Sequence, residues 1–120
     1  MARGTQIGKG GIAPVLKGRS GVEEAIAAAR ARGEKILGRE ITMETTAGRT
    51  RIDLLVETPG GKLKFIEVKT GPSARLTPNQ RAAFPQIRSE GGIPHGVRAA
   101  EARLKPGRAI GPTEVVIERF

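Results

Sequence analysis

Two alternating runs joined by a tight turn constrain this chain most. Residues 50–57 and 62–70 each alternate as β-strands do, and Thr58-Pro59-Gly60-Gly61 stands between them as a turn signal. The simplest local structure is a hairpin. Along the first run, Ile52, Leu54 and Val56 are expected on one face, with Arg51, Asp53, Leu55 and Glu57 on the other. Along the second, Ile66 and Val68 share a face, opposite Leu63, Phe65, Glu67 and Lys69. Both faces carry apolar residues, so the spacing predicts a sheet covered on both sides. Asp53, Glu67 and Lys69 interrupt that apolar pattern and call for a task.

The flanking segments supply the cover. Ser20-Gly21-Val22-Glu23 fits a capping box, and Val22, Ala25, Ile26 and Ala29 follow at helical spacing, which predicts a helix over 21–32 with Gly33 as its stop. A strand is expected over 39–46. Thr77 suits the N-cap and Pro78 the first turn of a second helix, with Leu76, Ala83, Phe84 and Ile87 on its buried side. Pro85 should kink or shorten that helix, and Gly91-Gly92 should end it. A short strand within 93–99, a helical turn over 99–104 and a last strand over 113–119 complete the chain. The order αβββαββ gives an α/β (α+β) domain with a mixed central sheet flanked by helices. Residues 1–19, rich in glycine and Lys/Arg, read as a flexible basic lead-in or linker, and 20–120 as the working domain.

Composition narrows the partners. A chain of 120 residues suits one domain. Its net charge of +9 favours a polyanion, most often nucleic acid. With three Phe and no Tyr or Trp, stacking of bases on aromatics is mostly closed as a binding mode. The lack of cysteine excludes disulfides, thiolate zinc sites and thiol catalysis. No apolar run approaches the roughly 18 residues of a membrane span. No signal-peptide core is visible at the N-terminus, so export would have to be directed from outside this chain. A cytoplasmic setting is the alternative.

The polar group on the hairpin has a chemical reading. Side chains two apart on a strand look the same way, so Glu67 and Lys69 do, with the Val68 carbonyl between them. Asp53 joins them if the register allows, and a one-residue slip would remove it. Two carboxylates and a carbonyl make a hard oxygen site of the kind Mg2+ or Mn2+ accepts, and a lysine beside it can position a water or meet developing negative charge. Those are the parts for phosphodiester hydrolysis. The plain alternative is a solvated cross-strand ion pair worth under about 1 kcal/mol. Arg49, Arg51, Lys62, Lys64, Arg75 and Arg81 surround the group in sequence, and Arg51, Lys64, Arg75 and Arg81 are the expected phosphate contacts. His95, the only histidine, is expected to be structural.

Arg51-Ile52-Asp53, Glu67-Val68-Lys69-Thr70-Gly71 and Leu76-Thr77-Pro78-Asn79-Gln80 together resemble the PD-(D/E)xK nuclease superfamily, the restriction-endonuclease-like fold. More narrowly, the last two pieces are similar to nuclease toxin domains of bacterial polymorphic and contact-dependent inhibition toxins. The resemblance implies that Asp53, Glu67 and Val68 hold a divalent metal, that Lys69 acts on the attacking water, and that Gln80 and a helix-one glutamate, Glu24, complete the site. It implies cleavage of DNA ahead of RNA, no small-molecule cofactor and no membrane. The narrower likeness adds an acidic immunity protein, and export within a larger toxin that acts in the cytoplasm of a target cell. A repair nuclease, a junction resolvase and a non-catalytic nucleic-acid-binding module are the alternatives.

Overall fold

The computed structural model describes the backbone of residues 13–120 and the side chains from residue 21 onward. Eight elements follow in order: α1 (Ala13–Ala31), β1 (Lys35–Thr45), β2 (Gly48–Glu57), β3 (Leu63–Lys69), α2 (Pro78–Ser89), β4 (Ile93–His95), α3 (Gly96–Glu101) and β5 (Glu114–Arg119). The strands form one five-stranded sheet in the order β4-β1-β2-β3-β5. Strands β1 to β4 pair antiparallel, and β5 joins β3 in parallel, so the sheet is mixed.

Both faces are covered. Ala25, Ile26 and Ala29 of α1 pack on Leu54, Val56 and Ile66. On the other side Phe84 and Ile87 of α2, with Ala99 and Ala102 in and just after α3, pack on Ile41, Met43, Ile52, Leu55, Phe65 and Val115. The hairpin between β2 and β3 forms in the register Leu55↔Phe65. Among the described residues no helix is long and apolar enough to cross a membrane.

Strict alternation fails at one place. Ile52 packs with Leu55 on the α2 side, whereas Leu54 and Val56 face α1, so Ile52 does not share their face as the spacing predicts. The cause lies on the neighbouring strand. The pairs Ile41↔Ile52 and Arg39↔Leu54 bracket Glu40 and Asp53, and Glu40 has a left-handed backbone with φ of 55°. A non-glycine residue held there costs on the order of 1–3 kcal/mol and persists only where its surroundings enforce it. The two strands change facing together, and Asp53 stands at the change.

Three further expectations are revised. Helix α1 runs through Ser20, so Ser20 is not an N-cap, and Glu23 pairs with Arg39 at 3.7 Å rather than closing a capping box. Gly21 lies inside the helix because α1 passes close over the end of β3: a Cβ there would meet Thr70 Oγ1 at 2.5 Å. Residues 13–19 of the expected lead-in belong to α1, and residues 1–12 lie outside the described residues. Helix α2 continues past Pro85 to Ser89, held against the sheet by the fully buried Phe84 and Ile87. Helix α3 begins at Gly96, leaving only Ile93–His95 as strand.

Gly38 marks the tightest contact between β1 and the α3 layer. A Cβ there would lie 2.5 Å from Ala102 Cβ and 3.2 Å from Ala102 Cα, atoms that cannot swing aside. Gly38→Ala is expected to lose about 1–3 kcal/mol by overpacking, read as a lower urea midpoint at unchanged slope. Gly111→Ala, with nothing within 4 Å, is the matched control and should unfold close to the parent.

Candidate active site

The strands β2 and β3 part company just where the facing changes. Their ladder runs from Glu57↔Leu63 to Leu54↔Ile66 and stops. Beyond it, the Val68 amide donates to Asp53 Oδ2 at 2.8 Å. The carboxylate thus caps the opening fork with a charge-assisted hydrogen bond. Glu67 sits on the other prong, on the α2 side with Phe65, and is 4% exposed.

Helix α2 closes the third side. Its N-cap Thr77 accepts from the Gln80 amide at 3.1 Å, and Gln80 Oε1 accepts from the Thr77 amide at 3.0 Å, a full capping box. That box fixes the Gln80 side chain. Its Nε2 donates to Glu67 Oε2 at 2.8 Å, and its Oε1 also accepts from Lys69 Nζ at 3.0 Å. Lys69 Nζ stands 3.2 Å from Glu67 Oε2, which closes a ring of three side chains.

Glu67 Oε1 is left over. It is buried and has no hydrogen-bond partner. Burial, and then the charge of Asp53, push the Glu67 carboxyl above its ordinary range, against the pull of Lys69 and Gln80. An unpartnered buried carboxylate oxygen is costly, and a cation would relieve it. Asp53 and Glu67 suit a hard divalent ion, which takes one or two carboxylates and completes its shell with water. Val68 enters the site through its amide. Among the described residues no three His, Asp or Glu side chains converge on a metal position.

Asp53, Glu67 and Gln80 line an open cleft of about 520 Å³, and Lys69 stands behind them, bonded to Gln80 but outside the cleft lining. Its lining also includes the N-cap Thr77 and Asn79 of α2, and Arg49 and Arg51 of β2. Thr42 and the buried Thr50 complete it. Spacing did not single out Thr42, Thr50 or Asn79. Asn79 stands within the Leu76–Gln80 piece, while the two threonines carry no signal apart from strand position.

Other expected members fall elsewhere. Glu24 is exposed on α1 and does not line the cleft. Lys64 cannot contact a phosphate at this site: it alternates with Phe65 and Glu67 onto the opposite face, where it is 9% exposed and paired with Glu34. Arg32 joins that group, bonding Glu34 at 2.9 Å and Glu118 at 2.8 Å, and ties the end of α1 to β3 and β5. Burial opposes the Glu34 charge, but hydrogen bonds from Arg32 and Lys64 outweigh it and hold the carboxyl below the usual range. Arg75 and Arg81 are exposed and lie outside the cleft lining. Lys62 is exposed at the far turn of the hairpin. His95 Nε2 meets Glu44 Oε1 at 2.6 Å, a cross-strand contact between β4 and β1.

A mixed sheet between helices, with an Asp at a strand fork and a Glu-x-Lys on the next strand, defines a restriction-endonuclease-like, PD-(D/E)xK-type domain. Residues 19–110 match the family described as the sugar fermentation stimulation protein RE domain, and the chain belongs to that family. No curated protein and no solved structure matches it.

Two outcomes follow from this geometry. Because the Glu67 pKa is raised on folding, the folded chain holds the extra proton between the unfolded and folded values, and stability must fall as pH rises through that window. In EDTA, urea unfolding of the parent should lose stability relative to Glu67→Gln from about pH 4.3 upward, with a constant gap above the window. Lys64→Ala, which leaves the buried Glu34 with Arg32 alone, should cost about 1–3 kcal/mol of stability.

Proposed function

We propose that this domain hydrolyses phosphodiester bonds of DNA with a divalent cation held by Asp53 and Glu67. The observation that carries the reading is the buried, unpartnered Glu67 Oε1 beside Asp53, in a cleft walled by arginines. A cation bound there supplies a Lewis acid that polarises the phosphate and eases deprotonation of water. The chain's own groups do the rest. Arg49 and Arg51 draw the anionic backbone toward an acidic floor that would otherwise repel it. Lys69 Nζ, held on Gln80 Oε1 and Glu67 Oε2, presents its remaining proton to the attacking water or to the charge that builds on phosphorus-bound oxygen. Gln80 keeps both partners in place and is itself anchored by Thr77.

A second reading has one observation in its favour. With only two carboxylates at the fork and no third ligand side chain among the described residues, the domain could bind nucleic acid without cutting it. The family match names no toxin, so an antibacterial setting, an immunity partner and export within a larger toxin rest on the likeness of the Glu67–Gly71 and Leu76–Gln80 pieces alone.

Plasmid DNA and tRNA incubated with the protein in Mg2+, Mn2+ or EDTA separate these readings. Nicking of the plasmid is expected with metal and not with EDTA. Asp53→Ala and Lys69→Ala are each expected to lower the rate by about 100-fold or more, the scale of a lost catalytic group. Equal cutting by both variants would move the site elsewhere. Salt-sensitive binding without cleavage in any metal would establish the binding module.

A further inference from the structure

Part of the sheet face beside the fork is open, and it runs into the cleft. Where β4, β1 and β2 lie side by side, cross-strand partners form rows. The row Pro94–Met43–Thr50 is buried on the α2 side. The rows that flank it, His95–Thr42–Arg51 and Ile93–Glu44–Arg49, therefore present their side chains on the opposite face. Among the described residues, α1 packs on that face around Leu54, Val56 and Ile66, beyond these rows. Thr42, Arg49 and Arg51 also line the cleft, so the open stretch continues the site onto the sheet.

An anion already stands on it. Glu44 Oε1 lies 2.6 Å from His95 Nε2 and 3.6 Å from Arg49 Nη2. An ionised carboxylate can only accept, so His95 donates from Nε2. Strands β4 and β2 thus each send one donor toward a single oxygen on the strand between them. The hold is loose. The Glu44 and Arg49 side chains are 43% and 61% exposed, and ion pairs this exposed are worth little. A more highly charged anion can displace the carboxylate and take both donors.

We infer that this stretch of sheet carries the substrate backbone outside the cleft, that Arg49 and His95 hold one of its phosphates there, and that Glu44 masks the two donors while no substrate is bound. A phosphodiester oxygen accepts from the same two groups and turns Glu44 toward solvent. In a chain of net charge +9, the mask lowers affinity for stray polyanions at the mouth of the cleft. The inference rests on the nuclease reading for the identity of the ligand, and on the shared Glu44 oxygen for its position. Glu44, His95 and Arg49 are positioning residues and touch no reacting atom.

Binding of a short duplex DNA in EDTA, followed by fluorescence anisotropy over a range of salt, tests it. Glu44→Gln keeps the shape of the side chain and unmasks both donors. It should bind about fivefold more tightly, with the slope of log affinity against log salt steeper by about one. Glu101→Gln is the matched control: it breaks a comparably exposed pair, Arg98–Glu101 at 3.6 Å, on α3, and should gain less. In the Glu44→Gln background, Arg49→Ala and His95→Ala should each remove most of the gain, a coupling that a general change of net charge does not produce. Glu44→Ala repeats the comparison should Glu44→Gln fail to fold. Equal tightening by Glu44→Gln and Glu101→Gln, or a gain that survives both Arg49→Ala and His95→Ala, overturns the inference even if the plasmid is cut. The expected coupling in a protein that cuts no DNA in any metal upholds the phosphate position while the nuclease reading falls. No duplex binding by either the parent or Glu44→Gln overturns the inference.

Discussion

The site depends on one hydrogen bond. The Val68 amide, which an uninterrupted hairpin would spend on the neighbouring backbone, goes to the Asp53 carboxylate at 2.8 Å. Because of this exchange β2 and β3 can diverge without leaving a buried donor unpaired. The fork makes room for the cleft, and the same bond pins Asp53 at its mouth. The left-handed backbone of Glu40, opposite Asp53, lets β1 follow the change of facing, so the sheet stays paired on that side. Strain in β1 and the position of the acid on β2 are thus parts of one local rearrangement.

The second support is the capping box of α2. Capping alone would stabilise the helix start by about 1 kcal/mol. Here the capping residue Gln80 is also the neighbour of Glu67 and Lys69, so the local rule that starts a helix also orders the polar ring. Glu67 then has one oxygen engaged and one bare. Burial and the charge of Asp53 push the Glu67 carboxyl up, and a cation beside the two carboxylates would favour their charged forms.

Much of this was legible in the residues, and the exceptions have physical causes. The hairpin, the mixed sheet covered on both faces, and the helix opening at Thr77-Pro78 follow from alternation and from cap and turn chemistry. The meeting of Glu67, Lys69 and Gln80 needed only strand spacing and the helix start. One reading failed because alternation is a rule for regular strands. Ile52 changed sides at a bend that Glu40, an ordinary polar residue, does not announce. Lys64 was expected at a phosphate, yet regular alternation faces it toward α1, where Glu34 was not foreseeable as a partner across a separation of thirty residues. Ser20 mimicked a cap because a short polar residue before an apolar stripe looks the same inside a longer helix. Its neighbour Gly21 answers to tertiary crowding by Thr70, which local spacing cannot register.

The proposed site for a divalent cation at the fork needs both Asp53 and Glu67. Thermal unfolding in rising Mn2+, without any nucleic acid, tests it most directly, since a ligand that binds only the folded chain raises its melting temperature by mass action. The expected result is a saturable rise for the parent that returns to baseline with EDTA, and its loss in Glu67→Gln and in Asp53→Ala. A rise of the same size in Glu67→Gln, or no rise in the parent at millimolar Mn2+, would contradict it.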